Sequence, residues 1–271
     1  MLKLTDVSKK ENLVQSSKGN QMKWYLDNFW YKADYTGYEG FVEYVISHLV
    51  CLSDIENNKI VIYETEEIDY NENIFKGCKS RNFLPENWQL ITLERLFINY
   101  FGESLHKSIF SMVNHENRVK FIVEQTIRIT NLKDFGVYLS ILLTLDAFFL
   151  NEDRHTHNIA VLLDEKGKYH YCPIFDNGAG LLSDTTIDYP ISKDIYSLIK
   201  KVKSKTFSDN FDDQLDIIEK VYGTHIKFNF NKKDIDNIID RDTIYSSEIK
   251  NRVREIIYYQ MHKYQYLFLR K

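Results

Sequence analysis

The sequence predicts an α+β protein with two lobes, a small β-rich lobe over residues 1–65 and a larger, mainly helical lobe over residues 66–271. Two observations support this division. Short aromatic and β-branched runs, which are typical of strands, are concentrated in the first lobe. Beyond Asn82, apolar residues recur mostly at helical spacing, and the chain ends in such a segment, EIKNRVREIIYYQMHKYQYLFL.

The small lobe has the pattern strand, strand, helix and strand. Residues 22–33, MKWYLDNFWYKA, place two aromatic runs around Asp27-Asn28, which predicts a hairpin. A helix is predicted over residues 38–52, YEGFVEYVISHLVCL, from its apolar spacing. A short strand follows over residues 59–67, KIVIYETEE.

The larger lobe contains helices predicted over residues 90–102, 119–129 and 135–150. Thr92 and Gly102 suit the start and the end of the first. The third is apolar nearly all round, which predicts a central buried helix. After it, the runs IAVLL and KYHYCPIF flank DEKGK, the pattern of a strand, a turn and a strand.

Composition excludes several classes of protein. Apolar residues are 44% and charged residues 27%, as in ordinary globular proteins. The net charge of −4 does not favour a nucleic-acid-binding surface. The three cysteines form no CxxC pair, which argues against a disulfide framework or a zinc site. Without a signal-peptide pattern or a long apolar run, we expect a cytoplasmic protein with no membrane span and no direct nucleic-acid contact.

A polar stretch between two apolar runs, LNEDRHTHNIAVLL, carries the first chemical pattern. Asp153 and Asn158 are five positions apart. Protein kinases use this separation in H-R-D-x-x-x-x-N, where the Asp accepts the hydroxyl proton and the Asn binds Mg²⁺. His155 and His157 offer an alternative, because two imidazoles that face the same way on a strand can bind zinc.

Phosphoryl transfer also needs a second acidic metal ligand, because Mg²⁺ prefers oxygen donors. In kinases this ligand follows a hairpin, in D-F-G. Here the predicted hairpin ends in Asp176-Asn177-Gly178, so the order Asp, Asn, hairpin and Asp-x-Gly is complete. The alternative interpretation of these three residues is a plain turn.

The small lobe should supply a cation for the ATP phosphates. Lys32 closes the strand FWYK, and Glu39 and Glu43 follow on the predicted helix. A helix glutamate orients this lysine in kinases, and Glu43 is favoured because it lies deeper in the apolar-periodic stretch. Ahead of the strand, the loop Ser16-Ser17-Lys18-Gly19-Asn20 offers backbone N–H groups and hydroxyls for phosphate. The alternatives are that the loop is a surface turn and that Lys32 is a solvated lysine at the end of its strand.

Taken together, these motifs resemble those of HipA-like serine/threonine kinases. NEDRHTHN followed by PIFDNG is similar to that family's D-R-H-x-x-N and F-D-x-G motifs. The stretches FWYKAD, YEGFVEY and GCKSRNFL are similar to its short, stand-alone bacterial members, over residues 16–222. The resemblance implies a bilobal protein-kinase-like fold.

The resemblance also implies a role for each matching residue. Asp153 is the expected catalytic acid–base residue, Lys32 the contact to the ATP phosphates, and Asn158 and Asp176 the Mg²⁺ ligands, whereas His155 supports the loop. The expected interlobe hinge that reads adenine through its backbone is Tyr63-Glu64-Thr65. In the phosphate loop, Ser17 and Gly19 would contact ATP, and Ser16 or Ser17 would be the site of autophosphorylation.

HipA-type kinases are often toxins whose partners are small DNA-binding antitoxins, so an antitoxin is a candidate partner beside a protein substrate. Longer members carry an N-terminal subdomain ahead of the kinase core, and no counterpart is expected before the phosphate loop. The resemblance therefore does not imply the roles of that subdomain, such as part of the contact with an antitoxin or with DNA.

The sequence therefore predicts an ATP- and Mg²⁺-dependent kinase of protein serine or threonine that is capable of autophosphorylation and is a candidate toxin. The motifs describe ATP handling and not the acceptor, so a kinase of a lipid or a small molecule is one alternative. A non-catalytic nucleotide-binding module and a histidine-metal hydrolase are the others.

Overall fold

The computed structural model of the protein describes residues 2–4, 21–205 and 207–269. In chain order the strands are β1 (Leu2–Leu4), β2 (Lys23–Leu26), β3 (Phe29–Ala33), β4 (Tyr63–Tyr70), β5 (Asn73–Arg81), β6 (Gln89–Thr92), β7 (Ala160–Leu163) and β8 (Tyr169–Tyr171). The helices are α1 (Glu39–Val50), α2 (Leu93–Phe101), α3 (Leu105–Phe110), α4 (His115–Thr130), α5 (Phe135–Phe149), α6 (Ile195–Ile199), α7 (Phe211–Tyr222), α8 (Lys232–Arg241) and α9 (Ser247–Lys263). The α+β class is confirmed.

The chain divides into two compact units, each with its own sheet and helices. The first unit consists of residues Met1–Phe83, Asp176–Val202 and Lys227–Lys271. The second unit consists of residues Leu84–Phe175 and Lys203–Ile226.

A five-stranded sheet in the order β1-β4-β5-β3-β2 forms the base of the first unit. β1 runs parallel to β4, and the other neighbours are antiparallel. Asp27 and Asn28 join β2 to β3 with φ values of 50° and 66°, as a type I′ turn requires. This turn matches the twist of the strands, and the hairpin predicted around it is confirmed.

Helix α1 is the central helix of the first unit. It packs on β4 and β5, and α8 packs on it in turn. Its apolar side chains are almost completely buried, including Phe41, Val45 and Leu49. The sequence correctly placed this helix, because its apolar residues recur at helical spacing.

The second unit is built around α5, which packs against α4 and α7. Every residue from Leu139 to Phe149 is buried, which confirms the central buried helix. A three-stranded antiparallel sheet, β6-β7-β8, contains the predicted hairpin IAVLL–KYHYCPIF. The first three residues of the predicted helix 90–102 belong instead to β6, and α2 starts after the N-cap Thr92.

The predicted lobe boundary at residue 65 lies inside β4, which pairs with β5 as far as Tyr70. The first unit continues to Phe83 and also includes α8 and α9, which the sequence analysis placed with the larger lobe. The reason is tertiary, since α8 packs on α1 and α9 packs on α8. Within the described ranges, no helix is long and apolar enough to cross a membrane.

Truncation of α5 tests whether it is the core of the second unit. Leu143 is completely buried, so Leu143→Ala is expected to lower the free energy of unfolding by about 2–5 kcal/mol through lost burial and a residual cavity. Val113, which is 94% exposed, provides the matched control, and Val113→Ala should change stability by less than about 0.5 kcal/mol. Urea denaturation measures both, and equal effects would contradict a core role for α5.

Candidate functional site

The side chain of Lys32 on β3 lies between two carboxylates of the first unit. Its Nζ donates to Glu43 Oε1 at 2.9 Å and to Asp176 Oδ1 at 2.8 Å. Burial alone would lower the pKa of Lys32, but Asp176 and Glu43 outweigh it and hold the pKa well above its usual value. Lys32 is therefore a fixed, fully charged cation.

Glu43 is positioned by the close approach of α1 to the sheet. A Cβ on Gly40 would lie 2.4 Å from the carbonyl carbon of Gly77, so only a glycine lets the first turn of α1 touch β5. Glu43 follows one turn later and is 2% exposed. Its second oxygen, Oε2, accepts a hydrogen bond from Asn177 N at 2.9 Å. The carboxylate thus joins Lys32 to the residue after Asp176.

Glu39 has a different role from Glu43. Its Oε1 accepts from Thr36 N at 2.8 Å and from Thr36 Oγ1 at 2.7 Å. Its Oε2 accepts from Gly37 N at 3.2 Å. Glu39 therefore binds the backbone donors that lead into α1, and Glu43 is the glutamate that contacts Lys32.

Asp176 has a left-handed backbone, with φ of 61°. Aspartate tolerates this region better than bulky residues do. Leu181 and Leu182, which are buried, also have positive φ, at 48° and 57°. Such backbone angles persist only where neighbours hold them, and here Tyr38 Oη donates to Leu181 O at 2.7 Å. The segment after Asp176 is therefore fixed by its contacts to α1.

A second lysine that the sequence analysis missed lies beside Lys32. Lys23 on β2 is directly opposite Lys32 in the β2–β3 ladder, and residues opposite one another project from the same face. Burial lowers the pKa of Lys23, and the charge of Lys32 adds to this, although Asp176 and Glu43 oppose it. The two-residue turn at Asp27-Asn28 fixes this register, so the sequence did contain the signal.

In the second unit, Asp153 and Asn158 lie on the loop between α5 and β7. Asn158 Nδ2 donates to Asp153 O at 2.9 Å, which closes the loop on itself. Among the described residues, the buried Oδ1 of Asn158 has no hydrogen-bond partner. A buried amide oxygen left without a donor is costly unless a ligand uses it.

Arg154 holds this loop from beneath. It is 1% exposed, and its Nε donates to both oxygens of Asp146 on α5 at 3.1 Å. Its Nη1 donates to Asn158 O at 3.1 Å and to Phe175 O at 2.8 Å. One guanidinium therefore fixes both the loop and the residue that precedes Asp176.

Glu94 on α2 supports the same loop from another side, and the sequence analysis did not identify it. This buried carboxylate accepts from Thr156 Oγ1 at 2.9 Å, from Ser104 Oγ at 2.5 Å and from His106 N at 3.0 Å. Burial would raise the pKa of Glu94, but these hydrogen bonds outweigh it and hold the pKa below its usual range. Its partners come from distant segments, so no local pattern marks it.

His155 and Lys205 lie beside the Asp153 carboxylate. Its side chain is 9% exposed, with His155 Nε2 at 3.9 Å and Lys205 Nζ at 3.7 Å from its oxygens. His155 Nδ1 accepts from His157 N at 3.2 Å, so it is engaged within the loop. No group of three His, Cys, Asp or Glu residues that could hold a metal is found in the described ranges.

Each unit has a side-chain oxygen donor among the predicted metal ligands, and oxygen donors suit Mg²⁺ better than zinc. Asp176 offers a carboxylate, and Asn158 offers the buried amide oxygen that lacks a donor. Mg²⁺ takes oxygen ligands and is commonly bound by one or two protein side chains together with substrate phosphates, without a cage made of protein alone. Asp176 in the first unit and Asn158 in the second unit each offer an oxygen of the type that Mg²⁺ accepts.

The predicted hinge is part of a strand of the first unit. The predicted hinge Tyr63-Glu64-Thr65 lies within β4, paired with Ser80, Lys79 and Cys78 of β5, whereas the chain passes from the first unit to the second at Phe83–Leu84. The sequence analysis did not predict β5. Tyr63 instead places its ring 5.1 Å from Lys32 Nζ. Ser16, Ser17 and Gly19 lie outside the described residues.

Comparison with known proteins places the fold. No protein-family model matches the sequence, and no curated protein matches it. Among solved structures, the chain is similar to the Helicobacter pylori proinflammatory kinase CtkA, with a TM-score of 0.63 and 17% sequence identity. The similarity covers 98% of this chain and 96% of that chain. The protein therefore has a kinase-like fold.

Removal of Arg154 tests the buried support of the loop. Arg154→Met leaves the Asp146 carboxylate buried without its cation, which is expected to cost about 3–5 kcal/mol of folding free energy. The double variant Arg154→Met/Asp146→Asn removes both charges and should recover part of this loss. Arg128 lies on the exposed face of α4, and Arg128→Met serves as the control. Thermal or urea unfolding that finds Arg154→Met as stable as Arg128→Met would refute this assignment.

Proposed function

We propose that the protein is an ATP- and Mg²⁺-dependent phosphotransferase that acts on a serine or threonine hydroxyl of a protein. The single observation that carries the proposal is the placement of Lys32 between Glu43 and Asp176. A charged lysine oriented by a helix glutamate is how kinases hold ATP phosphates. The similarity of the fold to the kinase CtkA supports the same conclusion.

The residues of the first unit handle the nucleotide phosphates in this proposal. Lys32 supplies a positive charge that its two carboxylate partners keep in place before the nucleotide binds. A donor fixed in advance needs no reorganisation during the reaction, which is the source of most electrostatic catalysis. Lys23, whose pKa is lowered by burial and by Lys32, is a second donor on the same face of the sheet.

Asp153 acts on the acceptor in the second unit. Its carboxylate aligns the hydroxyl and takes up the proton as the oxygen attacks phosphorus. Arg154 and Glu94 keep the loop that carries Asp153 in one conformation through buried hydrogen bonds. Positioning of this kind supplies much of the rate of phosphoryl transfer, because little covalent chemistry is left to the protein.

Asn158 and Asp176 would hold the magnesium ion through their side-chain oxygens. When bound, Mg²⁺ neutralises charge on the phosphate oxygens that it contacts. Asp176 would do this beside the hydrogen bond that its Oδ1 accepts from Lys32.

The resemblance of NEDRHTHN and PIFDNG to HipA-like motifs extends the proposal to the partners. On that basis the protein modifies a protein substrate, phosphorylates itself at Ser16 or Ser17, acts in the cytoplasm and pairs as a toxin with an antitoxin. These four properties rest on the motif resemblance alone.

Two conservative substitutions test the proposed activity. Asp153→Asn and Asp176→Asn should each lower ³²P transfer from Mg-ATP to casein, myelin basic protein or the protein itself by roughly a hundredfold or more, because each removes a reacting or metal-binding carboxylate. Asp209→Asn changes an exposed carboxylate elsewhere in the second unit and should leave transfer unchanged.

The outcomes separate the alternatives. Transfer by Asp176→Asn at the parental rate would contradict the assignment. Parental transfer to a lipid extract with none to protein would redirect the proposal to a lipid kinase. Binding of ATP without transfer to any acceptor would identify a non-catalytic nucleotide-binding module.

A further inference from the structure

Lys205 reaches the Asp153 carboxylate from outside the α5–β7 loop. Its Nζ lies 3.7 Å from Asp153 Oδ1. It comes from the segment that leads into α7, far along the chain from the loop. Neither the spacing of the motifs nor the predicted elements pointed to this lysine.

Ser204 and Phe207, on either side of Lys205, are anchored by hydrogen bonds, whereas the Lys205 side chain extends into solvent. Ser204 on one side is buried, and its Oγ donates to Ser208 O at 2.6 Å. On the other side, Phe207 N donates to Gln214 Oε1 at 3.0 Å and Phe207 O accepts from Arg118 Nη1 at 2.9 Å. The Lys205 side chain is 48% exposed. Because its neighbours are anchored and its side chain is half exposed, Lys205 can place its ammonium group against a ligand beside Asp153.

The Lys205–Asp153 pair is poorly suited to stabilising the fold. At 3.7 Å it is longer than a hydrogen bond, and its lysine is half in water. Pairs of this kind contribute little to stability, because solvent screens the charges and the side chain loses rotamer freedom. The placement is better explained by a negative group that arrives during the reaction.

The negative charge of Asp153 explains why a cation such as Lys205 is needed beside it. The carboxylate is negative, and the phosphoryl group in transit carries negative charge on its equatorial oxygens. Bringing the two together is unfavourable unless a positive group lies close to both. An exposed lysine is suited to this, since its ammonium group is a mobile point charge on a flexible stem.

We propose that Lys205 is a further catalytic residue, which contacts the transferring phosphoryl group beside Asp153. This rests on the proposed function. In the step, the acceptor oxygen forms a bond to the γ-phosphorus of ATP, and the bond from that phosphorus to the β–γ bridging oxygen breaks. The hydroxyl proton goes to the Asp153 carboxylate, and ADP leaves with the electron pair. Lys205 donates to a γ-phosphoryl oxygen throughout and gives up no proton.

The test compares the parent protein with Lys205→Met, Lys205→Arg and Lys203→Met in ³²P transfer from Mg-ATP to myelin basic protein. Lys205→Met should lower kcat by roughly tenfold or more, with the KM for ATP within about twofold of the parent, because the charge acts on the group in transit. Lys205→Arg keeps a positive charge and should recover part of kcat. Lys203 is exposed and pairs with the exposed Asp209, so Lys203→Met should match the parent.

The possible failures are distinguishable. A parent protein without transfer would overturn the proposed function and this role together. A parent that transfers phosphate with Lys205→Met at the same kcat would overturn the role of Lys205 alone. An effect confined to the KM for the protein acceptor would also overturn it, because the lysine would then bind the acceptor and not the phosphoryl group.

Discussion

The ion pairs of Lys32 with Glu43 and Asp176 bring together three segments of the first unit: a strand, a helix and the turn after Phe175. Two carboxylates on one lysine keep its amine charged despite burial. Several other contacts of the first unit hold the side chains of Lys32, Glu43 and Asp176 in place. Gly40 lets α1 touch the sheet, Gly77 lets β5 lie close to the backbone of Lys32 on β3, and Tyr38 fixes the segment that follows Asp176.

In the second unit, buried hydrogen bonds hold the Asp153 loop in place. Arg154 and Glu94 are charged residues with low exposure, and each joins one group of the Asp153 loop, Asn158 O or Thr156 Oγ1, to groups of other segments. Buried charges of this kind are costly unless fully paired, so they contribute specificity of conformation more than net stability. We infer that the loop is rigid because its function requires fixed positions for Asp153 and Asn158.

The sequence predicted those parts of the molecule that local patterns determine. The Asp27-Asn28 hairpin, the helix that carries Glu43 and the apolar helix α5 all follow from turn chemistry and periodicity. β5 was missed because its sequence, NIFKGCKSR, lacks a clear apolar alternation. Glu94 and Lys205 depend on tertiary contacts between distant segments, which no spacing rule contains.

Equilibrium binding of Mg-ATP to the parent, Lys32→Met and Lys79→Met tests the central claim most directly. Lys79 lies on β5 of the same sheet and pairs with Glu66 instead of Asp176. It is therefore the matched control lysine. Loss of a charged donor to phosphate should weaken binding by about tenfold or more in Lys32→Met, while Lys79→Met keeps the parental affinity. Equal affinity of Lys32→Met and the parent would contradict the account.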